Sequence, residues 1–123
     1  MPAEEVDVDP MEAYRRYERA WNEPSNAAAL LADAWAEDGI YADDEVPDGL
    51  VGSDALVAFI QDSHEAMPGF RVWSTSAPRM LAGRIGVAWR ATDAAGAESA
   101  GTDVIEFGPD GRIARVTDVL DLD

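Results

Sequence analysis

The 123-residue sequence contains no cysteine, no lysine and a single histidine. The absence of cysteine excludes disulfides, thiolate zinc sites and cysteine nucleophiles. One histidine without cysteine leaves too few of the usual ligands for a transition-metal site. No apolar run approaches the roughly 20 residues of a membrane-spanning helix. The acidic start, Met1–Glu5, has neither the basic region nor the apolar stretch of a signal peptide, so a cytoplasmic location is expected.

Positive charge is also scarce. Nine arginines stand against 25 aspartates and glutamates, which gives a formal net charge of -16. Such a charge argues against binding nucleic acid or an anionic membrane surface. We interpret the excess acid as a solubilising surface, and the alternative is an electrostatic funnel that attracts a cationic substrate.

The length fits one domain, preceded by a short acidic tail. Residues 1–8 are predicted to be that flexible tail, and residues 9–123 to form a single domain. The apolar pattern has a helical period in the first half and a strand period in the second. It predicts helices over 9–22, 26–37 and 54–66, a short strand over 40–42, and strands over 70–77, 80–92, 98–107 and 112–120.

Three helices followed by an antiparallel meander of four strands form an α+β plan. We expect a curved, mostly antiparallel sheet that wraps around the three helices and encloses an apolar pocket. No phosphate-binding loop, nucleophile elbow or zinc-protease motif occurs. The acidic run Asp43-Asp44-Glu45 lacks the spacing of a calcium loop. The sequence therefore predicts neither a metal nor a cofactor, and its expected partner is a small apolar molecule.

Asp103 is the most informative polar residue. Strand alternation places it on the same face as Ile105 and Phe107. If the preceding hairpin aligns the two apolar faces, Asp103 lies among Val87 and Trp89, where burial raises the pKa of a carboxyl group. A protonated acid there can donate a hydrogen bond to a developing oxyanion. The opposite register would pair Asp103 with an arginine and leave it a structural role only.

Two further polar residues are candidates for the same site. Asp43 directly follows a strand and could act as a general base, although a solvated acidic loop explains it equally well. Tyr17 lies on the inner face of the first helix, where its hydroxyl needs a hydrogen-bond partner. The predicted catalytic set is thus Asp43, Asp103 and Tyr17. The predicted pocket lining consists of apolar and aromatic side chains, namely Tyr14, Trp21, Trp35, Tyr41, Phe59, Ile60, His64, Met67, Trp73, Val87, Trp89 and Phe107.

Several short motifs in this order resemble the SnoaL-like and ketosteroid-isomerase-like branch of the nuclear transport factor two superfamily. The resemblance covers roughly residues 9–121 and implies the cystatin-like cone fold with a deep apolar cavity. It also implies a homodimer formed through the sheet. The motifs are Tyr17-Glu18-Arg19-Ala20-Trp21-Asn22, Ile40-Tyr41-Ala42-Asp43, Leu50-Val51-Gly52-Ser53-Asp54-Ala55-Leu56, Pro68-Gly69-Phe70, Gly101-Thr102-Asp103 and Asp110-Gly111-Arg112-Ile113.

Ketosteroid isomerase uses a tyrosine, an aspartate base and a protonated aspartate. By motif position, Tyr17 resembles the tyrosine, Asp43 the base and Asp103 the protonated acid. In the SnoaL-like cyclases an aspartate on a late strand acts as acid and base, and Asp103 is the residue most similar to it. The resemblance implies a cofactor-free isomerase or cyclase that moves a proton on a small apolar carbonyl compound. The alternatives are a non-catalytic small-molecule-binding domain and an interaction domain that uses the sheet face.

Overall fold

The structure is a computed structural model that describes residues 8–121, with the backbone alone at Leu81. Of the predicted acidic tail, residues 1–7 lie outside the described part of the chain. The helices are α1 (Pro10–Asn22), α2 (Ala27–Ala32) and α3 (Ser53–Ala66), and a 3-10 turn at Pro24–Asn26 joins the first two. The strands are β1 (Trp35–Ala42), β2 (Leu50–Val51), β3 (Arg71–Ser74), β4 (Arg79–Leu81), β5 (Arg84–Thr92), β6 (Glu98–Phe107) and β7 (Ile113–Leu120).

Helix α1 begins and ends where the sequence predicts. Asp9 caps it, because the Asp9 carboxylate accepts a hydrogen bond from the Met11 amide at 3.1 Å and Pro10 suits the first helical position. The inner face consists of small and aromatic side chains that are buried, namely Ala13, Tyr14, Tyr17 and Ala20. Two tyrosines on this face therefore point from the helix toward the sheet.

The strands of the described residues form one mixed sheet in the order β2-β1-β7-β6-β5-β3, and β4 also pairs with β5. Only the β1–β7 pair is parallel, whereas the other pairs are antiparallel. The helices cover one face of this unclosed sheet, and the core between them is made of aliphatic side chains such as Leu31, Leu56, Ile60, Ile105 and Val116. The predicted α+β class and curved sheet are confirmed.

Several predicted elements differ in extent from the observed ones, and two of these differences change the sheet. The second helix stops at Ala32 instead of residue 37, because the chain enters β1 at Trp35, whose partner on β7 is Ile113. Tertiary strand pairing here overrides the helix propensity of an alanine-rich segment. The predicted strand over 80–92 is divided into β4 and β5 by a turn at Ala82 and Gly83, whose φ angles are 46° and 88°. The predicted four-strand meander is therefore the larger part of a wider mixed sheet.

The outer surface carries several exposed apolar side chains. The most exposed are Met80 at 74%, Val51 at 61% and Val119 at 52%. Dimerisation through the sheet stays a prediction. No helix among the described residues is long and apolar enough to cross a membrane.

Candidate functional site

Two aspartates lie directly opposite each other on neighbouring strands. The register of β6 and β7 pairs Asp103 with Asp118, and that of β5 and β6 pairs Asp103 with Val87. Both carboxyl groups are partly buried and line the same pocket. Two acids so close together favour a state in which one of them carries a proton. The alternative register, with Asp103 paired to an arginine, is excluded.

The surroundings decide which of the two acids holds the proton. Burial, the neighbouring Asp118 charge and the Asp118 hydrogen bond all raise the pKa of Asp103 well above its ordinary value. Burial and the charge of Asp43 raise the pKa of Asp118 to about 6, but hydrogen bonds from Tyr41, Trp89 and Asp103 oppose that rise. Because these donors converge on Asp118, the pair is a protonated Asp103 beside an Asp118 carboxylate at neutral pH.

Trp89 reaches this pair because its cross-strand partner is a glycine. The Trp89 indole Nε1 donates to Asp118 Oδ1 at 3.1 Å, and Trp89 pairs with Gly101 across β5 and β6. A Cβ added at Gly101 would lie 2.6 Å from the Trp89 ring and 2.5 Å from the Val119 carbonyl oxygen. Gly101 thus provides the space in which the indole ring lies.

We expect Gly101→Ala to lower the free energy of unfolding by about 2 kcal/mol, because the added methyl group overpacks against a ring and a backbone oxygen. Urea unfolding monitored by tryptophan fluorescence measures this change. Gly108→Ala is the matched control, since its nearest neighbour, Asp110 Oδ1, is 3.5 Å from the added Cβ. Equal stabilities of the two variants would show that Trp89 does not need the space at Gly101.

Asp43 lies beside this pair and not in the pocket wall. Its Oδ2 accepts a hydrogen bond from the Tyr41 hydroxyl at 2.8 Å, and that hydroxyl is also 3.3 Å from Asp118 Oδ2. Its Oδ1 accepts from the amides of Glu45 and Val46 at 2.8 and 3.0 Å, which starts the turn after β1. The predicted base is therefore held in a turn, and Tyr41 stands between it and the acid pair.

Helix α1 supplies the opposite wall. Tyr17 is 3% exposed, and its ring stacks on Trp35 with centroids 5.8 Å apart. Burial, with the nearby Asp103 and Asp118, raises the pKa of Tyr17, so the phenol stays protonated. Glu18 turns toward β3, where its carboxylate accepts from the Ser74 amide at 2.8 Å. Tyr17 lines the same pocket as Asp103 and Asp118, so a bound molecule can reach its side chain.

These walls enclose a pocket of about 60 Å³ that opens to solvent. That space holds roughly four to six water molecules, so the walls as they stand admit only a small ligand or part of a larger one. The lining is aromatic and acidic, with Tyr14, Tyr17, Glu18, Trp21, Tyr41, Phe70, Val72, Trp89, Asp103 and Asp118.

Several of the residues that the sequence predicts to line the pocket lie elsewhere in the structure. Most of them do so because their side chains pack against other parts of the chain. Trp21 stands in front of α3, since its ring contacts Phe59 at 6.0 Å between centroids, and His64 Nε2 binds the Trp21 carbonyl oxygen at 2.6 Å. Met67 is the C-cap residue of α3. The structure buries three others in the core, namely Trp35, Ile60 and Val87, and packs the partly buried Phe107 against it. Seven predicted lining residues therefore lie outside the pocket, namely Trp35, Phe59, Ile60, His64, Met67, Val87 and Phe107, whereas Trp21 lines it as predicted.

Trp73 is the last of the predicted lining residues that the structure places outside the pocket. It is 44% exposed, because alternation along β3 points Val72 into the pocket and its neighbour outward. Sequence reasoning also missed four lining residues, namely Glu18, Phe70, Val72 and Asp118. Asp118 carried a usable signal, since it lies two residues after the buried Val116 and so shares the inner face.

A model of the SnoaL-like domain family matches residues 14–116. The chain belongs to the SnoaL-like family. Members of this family and its ketosteroid-isomerase-like relatives are often isomerases or cyclases. Among curated proteins, none matches this SnoaL-like chain. No group of three or more metal-ligating side chains is placed to bind a metal within residues 8–121.

Three solved structures illustrate the likeness. A SnoaL-like family protein from Agrobacterium tumefaciens, named as a candidate isomerase, is 26% identical with a TM-score of 0.79, covering 91% of this chain and 97% of that one. A cystatin-like-fold protein of unknown function from Methylobium petroleophilum is 15% identical with a TM-score of 0.77, covering 93% and 76%. A candidate ketosteroid isomerase from Kribbella flavida is 21% identical with a TM-score of 0.70, covering 90% and 76%. The last two show the fold alone.

Proposed function

We propose that this SnoaL-like domain catalyses cofactor-free proton transfer on a small carbonyl compound. The observation that carries the proposal is the Asp103–Asp118 pair, two carboxyl groups opposed across neighbouring strands in an aromatic pocket. Such a pair offers a base and an acid side by side, each in the protonation state that it needs at neutral pH. The likeness to a candidate isomerase of the same family supports an isomerase-type reaction.

In the proposed reaction the Asp118 carboxylate removes a proton from the carbon next to the carbonyl group. The C–H electron pair becomes the C=C bond of an enolate, and the carbonyl π pair moves onto oxygen. The single O–H of protonated Asp103, which faces Asp118 before the substrate binds, turns to that oxygen, and the Tyr17 hydroxyl donates a second hydrogen bond to it. Asp118 then returns a proton either to the same carbon, which exchanges the hydrogen, or to the oxygen, which gives the enol. Neither route changes the oxidation state of the compound.

Asp43 has a different role in this scheme from the one its sequence position suggests. Its charge raises the pKa of Asp118, and it holds the Tyr41 hydroxyl at 2.8 Å. A base whose pKa is about 6 is ionised at neutral pH and is still a stronger base than an ordinary aspartate. Asp43 therefore tunes the base and does not touch the substrate.

The experiment is hydrogen–deuterium exchange of small ketones in D2O, followed by proton NMR. Butanone and aminoacetone have the same number of non-hydrogen atoms, and both match the size of the pocket. Exchange that exceeds the buffer rate and is lost in Asp103→Ala and Asp118→Asn supports the proposal. Background rates for both ketones would overturn it and leave a binding domain.

A further inference from the structure

The charges around the pocket all have one sign. Its lining contains the carboxyl groups of Glu18, Asp103 and Asp118, and no arginine or histidine. Asp43 adds a fourth carboxyl group behind Tyr41, and the protonated Asp103 is the uncharged one of the four. Partly buried carboxylates interact with a ligand through a lower effective dielectric than water, so they attract a cation and repel an anion strongly.

The rest of the wall is aromatic. Six rings line the pocket, belonging to Tyr14, Tyr17, Trp21, Tyr41, Phe70 and Trp89. The face of an aromatic ring attracts an organic cation, most strongly when the cation is desolvated. An apolar ligand alone would need no carboxylate, and a metal ion would gain little from six rings. Aromatic rings together with carboxylates favour an organic cation with an apolar surface.

The volume of the pocket limits the size of the organic cation that it can hold. About 60 Å³ accommodates a group of roughly four to six non-hydrogen atoms. A methylated ammonium group has four or five such atoms and would contact several walls at once. The formal net charge of -16 also raises the local concentration of cations at the mouth.

We propose that the pocket recognises small molecules that carry an alkylammonium group. As a statement about the substrate this rests on the proposed function, because it concerns the same pocket. The two fit together chemically, since an ammonium group on the carbon that loses the proton makes that C–H bond more acidic. The substrate class is then a small ammonium-bearing carbonyl compound. Binding of the cation, however, can be measured without any reaction.

The test is a titration with tetramethylammonium chloride against tert-butanol, which has the same number of non-hydrogen atoms and no charge. Sodium chloride keeps the ionic strength constant. The readout is the indole N–H resonances in nitrogen-15 NMR, since Trp21 and Trp89 line the pocket whereas Trp73 is exposed outside it and serves as an internal control. We expect tetramethylammonium to bind about tenfold more tightly than tert-butanol.

Two variants separate the contributions of charge and ring. Asp118→Asn should weaken tetramethylammonium binding by about tenfold, and Phe70→Leu, which keeps an apolar side chain of similar bulk, by about threefold. Asp62→Asn is the control, since it removes the same charge from the exposed face of α3. Equal or tighter binding of tert-butanol, absence of saturable cation binding, or unchanged affinity in both pocket variants would overturn the inference.

The outcomes distinguish this inference from the proposed function. Cation binding without ketone exchange would refute the proposed enzymatic activity and support an ammonium-binding domain. Deuterium exchange of butanone without preferential binding of tetramethylammonium would support the enzymatic activity and refute recognition of an ammonium group.

Discussion

Asp118→Asn is expected to slow proton removal from small ketones by about 10²- to 10⁴-fold, the range that a general base contributes. The amide keeps the shape of the side chain, and its oxygen can still accept the Trp89 N–H hydrogen bond. It cannot accept a proton from carbon. The measurement is the rate of deuterium incorporation per mole of protein, with the thermal unfolding midpoint as a check on folding.

Asp43→Asn provides the sharpest comparison for that result. Asp43 is the base that the sequence motif suggests, whereas the structure leaves it outside the pocket lining. We expect a small effect from Asp43→Asn, because it removes a charge that raises the pKa of Asp118 but leaves the base in place. A large loss in Asp43→Asn together with a near wild-type rate in Asp118→Asn would assign the base to Asp43.

The pH dependence of the wild-type rate gives an independent check. Since the pKa of Asp118 is raised to about 6, the rate should rise with pH and reach half of its plateau near pH 6. In Asp43→Asn the half-point should move to lower pH, because one neighbouring negative charge is gone. An ordinary aspartate base would give a rate that is already constant at pH 5.

Local sequence signals were enough for much of this architecture. The Asp9-Pro10 start fixes the first helix, and strand alternation put Asp103 on the inner face beside Val87, as the register confirms. The helix period also grouped Tyr14, Tyr17 and Trp21 on one face. These features depend on neighbours within a few residues or across one hairpin.

The features that escaped prediction depend on distant parts of the chain. The parallel pairing of β1 with β7 converts the end of a predicted helix into a strand. The irregularity between Glu106 and Phe107 shifts the register of β6 against β7, and that shift sets Asp118 directly opposite Asp103. A symmetric count across the Gly108–Gly111 turn gives Asp103 a different partner. No local pattern contains either constraint, so the acid pair could be found only in the assembled sheet.

The acid pair should also govern how stability depends on pH. The folded protein holds a proton on this pair at a pH where the unfolded chain, with aspartate pKa values near 3.9, has released it. Because the folded state then binds more protons, the free energy of unfolding falls as pH rises. For Asp118 the window runs from its ordinary pKa of 3.8 to about 6, which corresponds to a loss of about 3 kcal/mol. Asp103 extends the decline to higher pH, since its pKa is raised further above the ordinary value.

Asp118→Asn should therefore stabilise the protein at pH 8 by about 2 to 3 kcal/mol and have little effect at pH 4, where Asp118 is protonated. Urea unfolding at pH 4, 6 and 8 measures the difference, and Asp62→Asn corrects for relief of the overall negative charge. A destabilised Asp118→Asn at pH 8, or an effect that does not change with pH, would contradict the shared proton. Carboxylates opposed across a strand pair are costly. If one substitution both stabilises the fold and stops proton transfer, the cost of the pair belongs to its function and not to the fold.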